Sequence, residues 1–312
     1  MPQLPGIEPH GDLGVNVANW RCHLRASNLS PNTVRTYRDS IGRFAAFLDE
    51  RGMPGDLANI RREHVEAFVQ HLLERWKPTT AANRYVALNV FFRWAVEEGE
   101  LRESPMARMR KPRLPELELS VLNETELRAV IAACEGQSFE DRCDMAIIRT
   151  FIGTGARLSE IANLRWEPED PANNDLDLDL GLIRVMGKGR RERTVYVGLK
   201  AVKALDRYLR LRDRHQFAHL PWLWLSRKGH LTDSGVAQAI RDRGVVAGVP
   251  GLHAHKFRHS YAHAMLAAGM QEGDLMQLAG WRSREMLSRY AAAIRSDRAI
   301  AAARRLNPGD AI

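Results

Sequence analysis

Between Glu100 and Glu118 the chain reads ELRESPMARMRKPRLPELE, and no other stretch limits the fold as strongly. Prolines at 105, 112 and 115 interrupt any helix or ladder that would run through it, because each lacks a backbone N–H and clashes with a preceding turn. Arg102, Arg108, Arg110, Lys111 and Arg113 crowd between them, and burying the stretch would strand their charges. The segment therefore predicts a domain boundary. A disordered lead is expected at 1–12, one domain at 13–99, a basic linker at 100–118 and a second domain at 119–312. The linker reads equally as a solvated connector or as a strap along a phosphate backbone.

Ahead of the boundary, apolar residues recur at helical spacing. A first helix runs from near Leu13 past Trp20 and Leu24. Ser30-Pro31 starts a second, a hydroxyl N-cap followed by proline at the first helical position. Val34, Tyr37, Ile41, Phe44, Ala45 and Leu48 mark its inner face, and Gly52 closes it. A third carries Val65, Phe68, Val69, Leu72 and Leu73 and ends before Pro78. Thr79 or Thr80 is placed to cap a fourth, which buries Tyr85, Leu88, Phe91, Phe92 and Ala95. Four short amphipathic helices with brief loops predict a compact helical domain.

Behind the boundary the signals are mixed. Asn123-Glu-Thr-Glu126 has the form of a capping box. The helix through Met145, Ile148, Phe151 and Ile152 breaks at Gly153-Thr154-Gly155, and a new turn begins at Arg157-Leu-Ser-Glu160. Arg157 thus falls at a glycine-permitted bend beside a helix start, where anions are favoured, and also within pairing distance of Glu160. Leu182–Val185 and Thr194–Val197 flank Gly187-Lys188-Gly189, which reads as a hairpin with Lys188 at its tip. Asp175, Asp177 and Asp179 alternate with leucines and are expected on one solvated strand face. Helical pattern resumes at 201–211, at 233–246 and again after His255. The fold class is mainly α with a small β-hairpin, the second domain being α+β.

A net charge of +8 indicates a polyanionic partner, nucleic acid before membrane. No apolar run reaches the ~20 residues that span a bilayer, and the N-terminus lacks a secretory pattern. Cys22, Cys134 and Cys143 are scattered in no metal spacing. They read as reduced, buried thiols of a cytoplasmic protein.

The densest chemistry lies between His253 and Tyr290. His255 and Arg258 are i and i+3, so on a helix they share a face. An arginine fork matches a phosphate bidentately at any relevant pH. A phenol beside it is a plausible nucleophile, because positive charge stabilises the phenolate. Gly280-Trp281 ends a further helix, and Tyr290 follows nine residues later. Any one of these pairs also fits an ordinary amphipathic surface.

Taken in order, Arg157, Lys188, His255, Arg258, Trp281 and Tyr290 resemble the tyrosine recombinase (phage integrase) family. Thr154-Gly-Ala-Arg157-Leu-Ser-Glu160 resembles its first arginine box, Gly187-Lys188-Gly189 its hairpin lysine, and His255-Lys-Phe-Arg258-His259 its second box. Ala279-Gly280-Trp281 with Tyr290 resembles its C-terminal box. Leu29-Ser-Pro-Asn-Thr33 and Phe91-Phe-Arg-Trp-Ala95 are similar to its helical core-type DNA-binding domain. The resemblance implies a C-terminal catalytic domain in which Tyr290 attacks a DNA phosphodiester and forms a 3′-phosphotyrosyl link. Arg157 and Arg258 would clamp the phosphate, Lys188 would protonate the leaving oxygen, and His255 would position or deprotonate the phenol. Trp281 would donate its N–H, and Glu160 would orient Arg157.

The implied partners are double-stranded DNA and further copies of the chain: a monomer when free, and a tetramer on DNA exchanging strands through a four-way junction. The tail after Tyr290, with Ile294, Ile300, Ala303 and Leu306, would dock on a neighbour. No cofactor, metal or membrane is implied, and the simple Xer-like two-domain type is closest. Two features depart from the family pattern. Position 281 is Trp where most members carry His, and the stretch between Trp166 and Ile183 is longer and more acidic. A non-catalytic DNA-binding protein on the same fold, and a type IB topoisomerase-like relaxing enzyme, are the alternatives.

Overall fold

The structure is a computed structural model that describes residues 11–114, 120–187 and 191–281, with the single positions 283, 284, 287, 300 and 304. The chain divides into two units, Met1–Leu117 and Glu118–Ile312. The first contains α1 (Gly11–Ala26), α2 (Pro31–Glu50), a 3-10 turn (Leu57–Asn59), α3 (Arg62–Arg75) and α4 (Pro78–Glu97). Ser30 Oγ accepts the Thr33 N–H at 3.2 Å, as the capping signal requires. α4 starts earlier than expected: Lys77 is its N-cap and Pro78 its first residue. Proline presets φ and presents no N–H at that position, so neither Thr79 nor Thr80 is needed as a cap. Residues 1–10 of the expected lead lie outside the described residues. Gly11 and Asp12 are helical instead, and the Asp12 carboxylate accepts the Leu57 N–H at 2.9 Å. That contact pins α1 to the 3-10 turn, a long-range tie that local pattern does not announce.

Aromatic rings fill the first unit. Trp20 meets Phe91 edge-on at 5.1 Å, and Phe44 lies 5.2 Å from Phe68. Residues 100–114 form neither helix nor strand. Met106 is buried in this core, and Leu101 and Met109 pack against it. Arg102, Arg108, Arg110, Lys111 and Arg113 stay exposed. The segment is thus a strap sewn to the first unit by its apolar side chains, with its basic ones outward.

Cys22 corrects one expectation, because it is exposed, whereas Cys134 and Cys143 are buried. On α1 the buried positions are Leu13, Val17, Trp20 and Leu24, and Cys22 falls on the opposite face. Burial pushes the Cys134 thiol up to about 12, which keeps it protonated.

The second unit contains α5 (Glu124–Ala132), α6 (Phe139–Thr154), α7 (Leu158–Ala162), β1 (Leu176–Asp177), β2 (Leu182–Gly187) and β3 (Arg191–Tyr196). After them come α8 (Leu199–Arg212), β4 (Leu225–Ser226), β5 (Gly229–His230), α9 (Asp233–Val246), α10 (Ala254–Ala267) and α11 (Glu272–Ala279). The sheet order is β1-β2-β3, all antiparallel, with Ile183 opposite Val195 and Gly187 opposite Arg191. Its inner face (Ile183, Val185, Val195) packs into a core with Phe151, Tyr208, Trp224 and Phe257. Asn123 and Glu126 form the expected capping box at 2.9 and 2.8 Å. Among the described residues the architecture is mainly α with two small antiparallel sheets.

The three aspartates do not share a strand face. β1 is two residues long, and Asp179 falls in the turn behind it. Asp175 accepts the Arg165 N–H at 2.9 Å and Arg184 Nε at 3.1 Å, and Asp177 accepts the Leu180 N–H at 2.9 Å. Two of the three therefore satisfy loop donors that the short strand leaves unpaired.

Candidate active site

The site is assembled at the ends of helices. α6 ends at Gly155, which has φ +57°. Gly153, expected at the break, lies inside α6, and a side chain there would strike the Val197 carbonyl. A Cβ on Gly155 would lie 2.5 Å from the Tyr261 ring, so both the backbone and the packing require glycine. The turn delivers Arg157 in extended conformation as the N-cap of α7. One turn on, Glu160 is buried beneath it.

α11 ends at Gly280, φ +63°, with the Trp281 N–H bonded to the Met276 carbonyl at 2.9 Å, the 6→1 bond of a Schellman cap. This leaves the carbonyls of Leu278, Ala279 and Gly280 at the negative end of the helix. Three arginines from three elements take them in sequence. Arg193 Nε of β3 donates to Leu278 at 2.7 Å, Arg258 Nη2 of α10 to Ala279 at 2.6 Å, and Arg157 Nη2 to Gly280 at 3.1 Å. Arg258 Nη1 also donates to the Gly155 carbonyl at 2.9 Å, joining the ends of α6 and α11. Arg157 and Arg258 are thus tied to adjacent carbonyls at one point of the unit.

Glu160 is the counter-charge. Its side chain is 1% exposed and receives Arg157 N–H and Nη1, both at 2.8 Å, and Arg193 Nη1 and Nη2 at 2.9 and 2.7 Å. Burial pushes its carboxyl up, but the donors from Arg193 and Arg157 outweigh burial and bring it down to about 2. Among the described residues, Arg157 and Arg193 share this one carboxylate, while Arg258 donates to carbonyls.

Trp281 is buried in a cluster with Tyr261, Leu266, Leu275 and Leu287, and Arg258 Cζ sits 5.2 Å from its ring centroid. His255 lies in the first turn of α10, exposed, and meets His259 edge-on at 4.7 Å. Although the residue as a whole is exposed, desolvation of its ring and the charges of Arg258, His253 and Arg157 hold His255 below the ordinary imidazole range, so at neutral pH it is a proton acceptor.

The structure therefore brings together Arg157, Arg258 and Trp281, with His255 within reach of both arginine charges. Lys188 and Tyr290 lie outside the described residues, as do Ile294, Ala303 and Leu306 of the tail stripe. The described flanks of Lys188 pair as a hairpin, and Ile300 is 50% exposed. Sequence reasoning missed Arg193. Its signal is alternation: Arg193 points to the same side of β3 as buried Val195, and an inward arginine requires an acceptor.

Comparison with known proteins places both units in one family. The Phage integrase family model matches residues 120–296, and the model of the phage integrase N-terminal SAM-like domain matches 17–99. The tyrosine recombinase XerC of Oceanobacillus iheyensis is 30% identical over 264 residues, 82% of this chain and 84% of the relative. Among solved structures, the XerH site-specific recombinase bound to a palindromic difH substrate superposes with TM-score 0.72 at 17% identity. That match covers 96% of this chain and 91% of the other. A lambda integrase tetramer bound to a Holliday junction superposes with TM-score 0.66 at 16% identity, covering 88% and 78%. The chain belongs to the phage integrase family.

Proposed function

We propose that this chain is a site-specific DNA recombinase that cuts and rejoins duplex DNA through a covalent link at Tyr290. The observation that supports it best is the fastening of Arg157 and Arg258 to consecutive carbonyls, which holds two guanidinium groups at one helix end. The phenol oxygen of Tyr290 attacks phosphorus in line, forming the 3′-phosphotyrosyl bond as the bond to the 5′-oxygen breaks. His255, neutral at working pH, takes the phenolic proton, and Lys188 gives a proton to the departing 5′-oxygen. Arg157 and Arg258 offset the charge that grows on the non-bridging oxygens, while Trp281 packs against Arg258 and presents its indole N–H. A 5′-hydroxyl of the partner strand reverses the step. The phosphodiester energy is kept in the phosphotyrosyl bond, so no nucleotide cofactor is needed.

The reaction takes place in the cytoplasm, on four protomers that hold two DNA sites and pass through a Holliday junction, as in the lambda integrase tetramer of similar fold. The exposed arginines of the 100–114 strap supply phosphate contacts. The test is covalent capture. Nicked duplexes with randomised arms are mixed with the chain, and DNA that survives denaturing wash on the protein is sequenced. The wild-type chain should retain one family of sites and Tyr290→Phe none. Retention by Tyr290→Phe, or gel-shift binding with no covalent DNA from the wild type, would overturn the proposal.

A further inference from the structure

Of the three arginines at the end of α11, two belong to the clamp and the third has no role in the reaction described so far. We infer that Arg193 is a positioning residue of this active site, holding Arg157 and the end of α11 in the arrangement that receives a phosphate; the inference rests on the recombinase reading. Three observations carry it. Arg193 spends both Nη groups on the two oxygens of Glu160 and its Nε on the Leu278 carbonyl, so one rigid fork ties β3, α7 and α11 together. Its side chain is 13% exposed and lies on the core side of β3, the side that Val195 also faces. The backbone is built around it: a Cβ on Gly280 would lie 3.2 Å from Arg193 Nη1 and 3.3 Å from its Cζ.

The electrostatic consequence is specific. Glu160 is fully buried and must be paired. With Arg157 as its only cation, it would consume the charge that the clamp needs. Arg193 supplies a second guanidinium, so Glu160 fixes Arg157 in place without neutralising the site. A lysine at 193 keeps the charge but cannot reach both carboxylate oxygens and a carbonyl at once.

The test uses the full chain with Arg193→Lys and Arg193→Ala, on a nicked duplex selected by covalent capture with the wild-type protein. The expected result is a single-turnover adduct rate about 10- to 100-fold lower, by analogy with the loss when a partner that orients a metal ligand is changed, with Kd for the same duplex unchanged. A methylphosphonate at the scissile position supplies the readout that a merely structural role would not move. It removes the negative charge that the guanidiniums offset, so the wild-type-to-variant rate ratio should shrink towards unity. Because Arg193 acts through Glu160, the double variant with Glu160→Gln should be no slower than the slower single variant, and its urea midpoint should shift by less than the sum of the two. An unchanged adduct rate, an equal handicap on both substrates, or additive midpoint shifts each overturn the inference. If the wild-type chain forms no adduct on any duplex, the recombinase reading fails, and the urea cycle alone decides whether Arg193 and Glu160 act as one unit.

Discussion

Replacing Glu160 by Gln tests the electrostatics of the site without DNA. The carboxylate is held at about 2 against an ordinary 4.5, in a side chain 1% exposed. At about 1.4 kcal/mol per pH unit, that difference amounts to about 3 kcal/mol of folding stability. The folded-state value is the depressed one, so the contribution is fully present above the unfolded value of 4.5 and is lost as pH falls through about 2. Glutamine keeps the shape but sets an NH2 against guanidinium donors, so at neutral pH the variant should be about 3–5 kcal/mol less stable. The pH dependence is the diagnostic part. Urea unfolding of both chains at a series of pH values should show the gap constant above pH 5 and narrowed by about 2 kcal/mol at pH 3. Curves for the two chains that stay parallel from pH 7 to pH 3 would refute the reasoning, since the Glu160 carboxyl would then titrate alike in the folded and unfolded chains.

Three further outcomes follow from the same geometry. Gly155→Ala forces a left-handed backbone on an L-residue and drives a methyl into Tyr261. Strain of about 1–2 kcal/mol plus the clash should lower thermal stability and the adduct rate together, whereas an unchanged melting temperature would show that the turn relaxes freely. Arg258→Lys should slow adduct formation about 10²–10³-fold with duplex binding retained, because the fork to Ala279 and Gly155 cannot be rebuilt. His255 must be neutral to accept a proton, and its pKa is lowered from 6.5. The acid limb of the adduct rate should therefore lie below pH 6.5 and disappear in His255→Gln; a limb that survives there belongs to another group.

What the sequence made legible was local. Ser30-Pro31 and Asn123-Glu126 mark helix starts with chemistry confined to four residues, and Gly155 marks a left-handed turn by its residue type alone. The first arginine box shares this character: Arg157 and Glu160 are one turn apart, so their pairing was readable. The missing parts span the chain. Arg193 meets Glu160 across 33 residues and Leu278 across 85, and no periodicity encodes such separations. The Asp12–Leu57 tie and the pinning of Asp175 by Arg184 depend likewise on how turns close. Cys22 was misjudged by treating cysteine as a buried residue type instead of placing it on the helix wheel, where the stripe of Leu13, Val17, Trp20 and Leu24 leaves it outside.

The central claim is that the guanidinium pair at the end of α11 serves a phosphate attacked by Tyr290. The most direct measurement is to digest the trapped protein–DNA adduct with trypsin and identify, by mass spectrometry, the residue that carries the nucleotide. The account predicts a single modified peptide with the nucleotide on the Tyr290 oxygen, lost when either Arg157 or Arg258 is changed to alanine. A nucleotide found on any other side chain, or an adduct that forms equally well without both arginines, would contradict it.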